Sequence, residues 1–286
     1  MNSSQNEYLI DTHAHLNKDD YDTDREAAIE AARTAGVKKI ISVAYDSESA
    51  EINIKLAQKY KGEIFATYGL HPHHAAELTQ AHLDRLKEAA KNKEIVAAGE
   101  IGLDYFKSEV EHDIQKDAFL KQLDIAVKYD MPVIIHVRDA FEDFQKLVAD
   151  VKFRGVIHCY SGDETFAKWA IDKGFLISFT GSITYPLKTA YQKIKNTGAG
   201  VYEFLTDMNN RSLIPEQSIA ILKSVPLDKI MVETDCPYLA PHPFRSKRNT
   251  PAYVKEVAEC AAGILNIPFN EFCAATSRNA EKFFGI

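Results

Sequence analysis

Close to the start of the chain, Leu9-Ile10-Asp11-Thr12-His13-Ala14-His15 delivers two histidines, one residue apart, at the end of an apolar run. In extended backbone residues i and i+2 face the same side, so His13 and His15 can aim two imidazoles at one point. Four more residues of metal-ligating type stand in the same relation to later runs. Glu100 ends Ile95-Val96-Ala97-Ala98-Gly99-Glu100, His136 ends Pro132-Val133-Ile134-Ile135-His136, His158 ends Gly155-Val156-Ile157-His158, and Asp235 closes Lys229-Ile230-Met231-Val232-Glu233-Thr234-Asp235. Four imidazoles and two carboxylates without thiolates suit two first-row divalent ions. Glu100 is the natural bridge, because a carboxylate has two oxygens to share. Taken singly, each has an ordinary structural reading: His136 and His158 as satisfied interior histidines, Asp235 as the cap of a following turn. The metal reading rests on all six reaching one place, which depends on the elements that carry them.

Eight runs rich in β-branched residues, starting at Tyr8, Lys39, Glu63, Ile95, Pro132, Gly155, Phe175 and Lys229, alternate with helical stretches. The stretches cover 24–35, 47–59, 79–91, 111–129, 141–151 and 163–172, and a last helical region, 250–284, is broken at Pro268. Gly36 suits the position just past the first helix. In 111–129, Phe119, Leu120, Leu123, Ile125, Ala126 and Val127 supply the apolar side. This alternation reads as repeated βα units on a parallel sheet. Eight units in 286 residues fit a closed (β/α)8 TIM barrel, one domain spanning 1–286, better than an open doubly wound sheet. No G-x-G-x-x-G follows any run, so a dinucleotide-binding fold has no fingerprint here. All strands of a parallel barrel end at the same face, so the six side chains would converge on its mouth. The connection from Phe179 to Lys229 is longer than the others. Helices are expected at 186–195 and 215–223, and 196–216 reads as an excursion near the mouth, either a tolerated insertion or a lid.

Apolar residues make up 45% and charged residues 26%, the composition of an ordinary globular protein. No apolar run approaches the roughly 18 residues that span a bilayer, and the polar residues 1–7 do not read as a signal peptide. Cys159, Cys236, Cys260 and Cys273 form no C-x-x-C pair and are too few for a disulfide scaffold. They read as reduced thiols of a cytoplasmic protein, with a nuclear location equally compatible. A net charge of -7 argues against a broad basic face for duplex nucleic acid, while leaving room for a phosphate site confined to one cleft.

Six segments taken together carry a resemblance. They are Asp11-Thr12-His13-Ala14-His15-Leu16, Gly69-Leu70-His71-Pro72-His73, Gly99-Glu100-Ile101-Gly102-Leu103-Asp104-Tyr105, residues 132–140 from Pro132 to Ala140, His158-Cys159-Tyr160-Ser161-Gly162, and Glu233-Thr234-Asp235-Cys236-Pro237-Tyr238-Leu239. In this order they resemble the TatD family of metal-dependent hydrolases, within the amidohydrolase superfamily. The likeness runs from the first strand to the C-terminal region 279–284. It implies a (β/α)8 barrel, a one- or two-metal centre and deoxyribonuclease activity. It also implies that His13, His15 and Asp235 hold one metal, His136 and His158 the other, with Glu100 between them. Ala14 stands where Cys is frequent in the family and Asn17 where Asp is frequent, and neither is a ligand.

The chemistry expected of such a centre is phosphodiester hydrolysis: a metal-bound hydroxide attacks phosphorus and Asp235 accepts its proton as general base. The substrate expected is single-stranded DNA, attacked as an exodeoxyribonuclease at its ends. Arg138, two residues past His136, can point at the same mouth with a fork suited to phosphate oxygens. His71 ends the third run, with His73 just beyond. Arg245, Lys247 and Arg248 concentrate positive charge shortly after Asp235, either to grip a phosphate strand or as a solvated loop. Tyr105 and Tyr160 could stack on a base, although packing is the more ordinary role. Zinc, manganese and magnesium all remain open as the two divalent ions. Two other readings stay beside this one. A metal-dependent amide or ester hydrolase, of amidohydrolase or aminoacyl-tRNA deacylase type, would turn the same nucleophile on carbon. A non-catalytic metal-binding scaffold would keep only the fold. The sequence points to no membrane and no obligate protein partner.

Overall fold

The alternation in the sequence becomes eight parallel strands that neighbour one another in chain order. They are β1 (Leu9–Ala14), β2 (Val37–Ser42), β3 (Ile64–Tyr68), β4 (Ala97–Asp104), β5 (Val133–Arg138), β6 (Gly155–Ile157), β7 (Leu176–Phe179) and β8 (Ile230–Val232). The computed structural model describes residues 8–185 and 215–286. The helix expected at 186–195 and most of the excursion at 196–216 lie outside the described residues. β8 meets β1 through the chain just beyond it: Asp235 N–H donates to His13 O and His15 N–H to Cys236 O, each at 2.8 Å, and Ala14 pairs with Cys236.

Between the strands run α1 (Arg25–Thr34), α2 (Ser47–Lys59), α3 (Gln80–Lys91), α4 (His112–Lys128), α5 (Phe141–Leu147) and α6 (Glu164–Asp172). After the undescribed stretch come α7 (Glu216–Ser224), α8 (Val254–Leu265) and α9 (Phe269–Phe284). Local chemistry sets several starts. Asp46 and Ser49 form a reciprocal capping box, and the Asp163 carboxylate accepts from Phe166 N–H at 2.8 Å. Pro215 and Pro268 stand at the caps of α7 and α9, where a missing N–H has no helical partner to disappoint. Two expectations need correction. The helix at 141–151 stops at Leu147, and Val127 is 41% exposed, so the buried face of α4 runs through Phe119, Leu123 and Ala126 without it. Among the described residues no helix is long and apolar enough to cross a membrane.

The barrel interior has two storeys. At the N-terminal ends of the strands Ile10, Ile41, Ala97, Ile134, Val156 and Met231 fill it, and Phe283 and Phe284 of α9 pack on this layer. Towards the C-terminal ends polar side chains take over. In β5, β6 and β8 simple alternation carries the interior face from Ile134 to His136, from Val156 to His158, and from Met231 to Glu233 and Asp235. β1 and β4 cannot work this way, because Ile10–His13 and Ala97–Glu100 are odd separations and a regular pleat would turn the ligands outward. Both strands break register at the required place, between Asp11 and Ala14 in β1 and between Ala98 and Ile101 in β4. The β4 irregularity sits at Gly99, whose φ of 154° favours glycine. Glu100 N–H donates to Ala44 O at 2.8 Å and Thr67 Oγ1 to Gly99 O at 2.5 Å, which ties the displaced backbone to the chain just past β2 and to β3. His13, Glu100 and His136 lie inside their strands rather than at the last residues.

Candidate metal centre

The six residues singled out in the sequence come together at this upper storey. Around Glu100 Oε2 and Asp235 Oδ1 stand His13 Nε2, at 3.4 and 3.8 Å, and His15 Nε2, at 3.9 and 3.4 Å. The two imidazole nitrogens are 3.3 Å apart. Ligand atoms around a tetrahedral ion with bonds of 2.0–2.1 Å stand about 3.3 Å from one another, so this group needs little movement to close on one ion. The other carboxylate oxygen, Glu100 Oε1, lies 2.7 Å from His136 Nδ1 and 2.6 Å from His158 Nε2, which are themselves 3.2 Å apart. Two donor groups therefore meet at Glu100, one on each oxygen.

The outward ring nitrogens decide which lone pairs face inward. His15 Nδ1 is 3.0 Å from Val43 O, an acceptor only, so it carries the proton and Nε2 is left free to ligate. His158 Nδ1 lies 3.3 Å from Glu233 Oε1, and His136 Nε2 lies 3.1 Å from Asp104 Oδ2. His13 Nδ1 is buried with no hydrogen-bond partner among the described residues, and that ring is oriented by stacking on His158, with centroids 4.0 Å apart. Close packing of β5 on β4 adds a further constraint: a Cβ on Gly102 would run into the His136 backbone.

Charge is balanced by proximity. Burial would raise the Glu100 carboxyl, but the imidazoles of His158, His71 and His13 outweigh it and hold it well below the ordinary carboxylate range. Burial would likewise strip His158 of its proton, yet Glu100 and then Glu233 raise it well above the usual imidazole value. His136 is raised too, against burial, by Asp104 and Glu100. Asp235 is lowered against burial by His15, His13 and His158. Protons and divalent ions compete for these lone pairs, so ion binding here would release protons.

The centre forms the floor of a cleft of about 740 Å³. Asp235 is its more open carboxylate, with 14% of the side chain exposed against 4% for Glu100. His71 reaches the floor, its Nε2 3.6 Å from Glu100 Oε1, while its Nδ1 accepts from His73 N–H at 3.2 Å. Arg138 lines the wall with its guanidinium 4.3 Å over the Phe106 ring. The three cations after Asp235 behave otherwise, and none of them lines the cleft. Arg248 is held by both carboxylate oxygens of Asp24, at 2.9 and 2.6 Å, and by Asp20 O. Arg245 lies 4.0 Å over the Tyr185 ring and Lys247 5.5 Å from that of Phe244. Tyr105 stacks on His112 and donates to Asp143, while Tyr160 donates to Asp163 O and stacks on Phe166, so both pack.

Sequence reasoning passed over Asp104 and Glu233, which orient His136 and His158. The signal was present: Asp104 lies four residues past Glu100 and Glu233 two before Asp235, even separations that share a face. It also passed over Lys18, Tyr45, Lys107 and Tyr238 on the cleft wall, which local pattern does not distinguish from ordinary surface residues.

Known proteins resemble the whole of this chain. The family described as TatD related DNase matches residues 10–285. The metal-dependent hydrolase YabD of Bacillus subtilis, its activity uncharacterized, is 35% identical over 281 residues, covering 97% of this chain and 99% of the relative. A relative from Pantoea ananatis named 3'-5' ssDNA/RNA exonuclease TatD is 27% identical, covering 97% and 100%. Among solved structures, the TatD homologue YJJV of Escherichia coli K12 superposes with a TM-score of 0.82 at 26% identity, covering 99% of both chains.

Proposed function

Because the chain belongs to the TatD-related DNase family, we propose that it is a metal-dependent phosphodiester hydrolase, an exodeoxyribonuclease acting on the ends of single-stranded DNA. One observation carries this reading: Glu100 turns one oxygen towards His13 and His15, which also meet Asp235, and the other towards His136 and His158. These residues would hold two divalent ions, which when bound acidify water and neutralise charge on a phosphoryl group.

The chain's own residues perform the remaining work. Asp235, kept ionised by His15 and His13 and the more open of the two carboxylates, accepts the proton of the attacking water. His71 keeps its proton on Nε2, because Nδ1 accepts from the His73 amide, so it is a donor beside Glu100. With Arg138 on the wall, it stabilises the oxygens that gain negative charge as the bond to phosphorus forms and the ester P–O bond breaks, the departing oxygen taking up the proton released through Asp235. Ligands at the floor of a cleft suit a strand end better than a continuous duplex. The exonuclease name of the Pantoea relative supports a nucleic-acid substrate.

Hydrolysis of 3′-labelled and 5′-labelled single-stranded DNA, with chelator or with added Mg²⁺, Mn²⁺ or Zn²⁺, tests the proposal. Stepwise metal-dependent shortening is expected, and the label reports which end is attacked. Intact DNA under every metal, from protein shown to hold metal, would transfer the site to amide or ester substrates.

A further inference from the structure

A lysine and two tyrosines stand beside His15 on the cleft wall, and neither the metal centre nor the proposed chemistry uses them. Tyr238 is tied down by its backbone. Its N–H donates to Asp235 O at 3.0 Å, and its carbonyl accepts from Asn249 Nδ2, a buried amide that also donates to Thr234 O. The residue is nevertheless 49% exposed, one of the few large apolar residues so open among the described residues. It meets His15 edge-on with centroids 6.1 Å apart, and Tyr45 meets the same imidazole at 5.8 Å. Lys18 is anchored by its N–H to His15 O at 3.2 Å, and its Nζ sits 3.6 Å from the Tyr45 ring centroid and 5.9 Å from that of Tyr238. Among the described residues this ammonium is held by aromatic groups rather than by a carboxylate. In a chain of net charge -7, a cation with no carboxylate partner among the described residues, beside the candidate metal centre, remains available to an anion.

We infer that Lys18, Tyr45 and Tyr238 form a nucleotide subsite, in which the Tyr238 ring stacks on the base flanking the scissile phosphate and Lys18 holds a phosphate oxygen of that nucleotide. The inference rests on the phosphodiesterase reading above and adds where the strand is gripped. An exposed aromatic face beside a cation is the pairing by which single strands are held without base readout. The fixed backbone of Tyr238 presents its ring with little ordering left to do on binding. Tyr45 is a positioning residue: it keeps Lys18 over its ring and meets His15 edge-on.

The test compares kcat/KM on a short single-stranded DNA and on an abasic deoxyribose phosphodiester dimer, a small diester without aromatic rings, for the metal-loaded wild type and for Tyr238→Ala, Tyr238→Phe and Lys18→Met. Tyr238→Ala should lose about tenfold or more on DNA and stay within twofold on the small diester, while Tyr238→Phe restores the DNA rate. An abasic nucleotide beside the cleaved bond should slow the wild type by the same factor and Tyr238→Ala no further. Lys18→Met should reduce the salt dependence of DNA binding by about one phosphate contact. DNA rates equal to wild type in both Tyr238→Ala and Lys18→Met, or parallel losses on both substrates, overturn the subsite and leave the phosphodiesterase standing. A wild type that cleaves neither substrate overturns both.

Discussion

Replacing Asp104 by Asn changes one atom and tests whether the residues behind the ligands set the metal affinity. Asp104 Oδ1 accepts from the N–H groups of Phe106 and Lys107 at 2.9 and 2.8 Å, and Oδ2 faces His136 Nε2 at 3.1 Å and His73 Nε2 at 3.2 Å. The two amides admit only an oxygen at Oδ1, so the Asn amino group must occupy the Oδ2 position. A donor then faces His136 Nε2, which has to become an acceptor and pass its proton to Nδ1. That nitrogen is the one 2.7 Å from Glu100 Oε1, and once protonated it has no lone pair for an ion. Loss of an outer-shell partner typically weakens binding 10- to 100-fold, about 1.4–2.7 kcal/mol. Titration against a competing chelator should show one of two binding steps weakened by that factor and the other unchanged. Imidazole ¹⁵N spectra of the metal-free Asp104→Asn protein at alkaline pH should show the His136 proton on Nδ1. His73→Gln serves as control and should leave both steps in place. Two steps within twofold of wild type in Asp104→Asn, or a His136 proton still on Nε2, would refute the reasoning.

Asp235→Asn should reduce turnover of single-stranded DNA by about 10²- to 10⁴-fold while the DNA still binds in a filter or anisotropy assay; substantial residual activity would remove Asp235 as the base. Saturating divalent metal at about 100 times its Kd should stabilise the fold by about 2.7 kcal/mol; a Tm indifferent to metal and to chelator would show that the six side chains do not hold an ion. Glu256 on α8 offers a pH test away from the centre. Burial pushes its carboxyl up to about 7, against about 4.3 in the unfolded chain. A raised folded value means stability is complete below the unfolded value and is lost as pH rises towards 7, where the buried group must ionise. Glu256→Gln should therefore raise Tm at pH 8, by about 1–2 kcal/mol of stability once its partial exposure is discounted, and leave it nearly unchanged at pH 4. An equal shift at both pH values would show that ionisation of Glu256 is not the cause.

Chain-local patterns determined much of this protein. The spacing of apolar runs and amphipathic stretches is a nearest-neighbour property, since it follows from strand and helix periods, and it carried eight βα units and hence a barrel. Because a parallel barrel brings every strand end to one mouth, the types and positions of His13, His15, Glu100, His136, His158 and Asp235 already implied a shared centre. Tertiary structure alone decided the phase of β1 and β4. Ile10 and His13, like Ala97 and Glu100, share the interior only because each strand breaks register, and the break in β4 is held by Thr67 on β3 and by Ala44 just past β2. It also decided which charges reach the substrate. Arg248 follows Asp235 closely in sequence but is bound to Asp24 on the far side of the chain order, whereas Lys18 and Tyr238, distant in sequence, meet beside His15. Such pairings depend on contacts between remote segments, and periodicity within one segment carries no record of them.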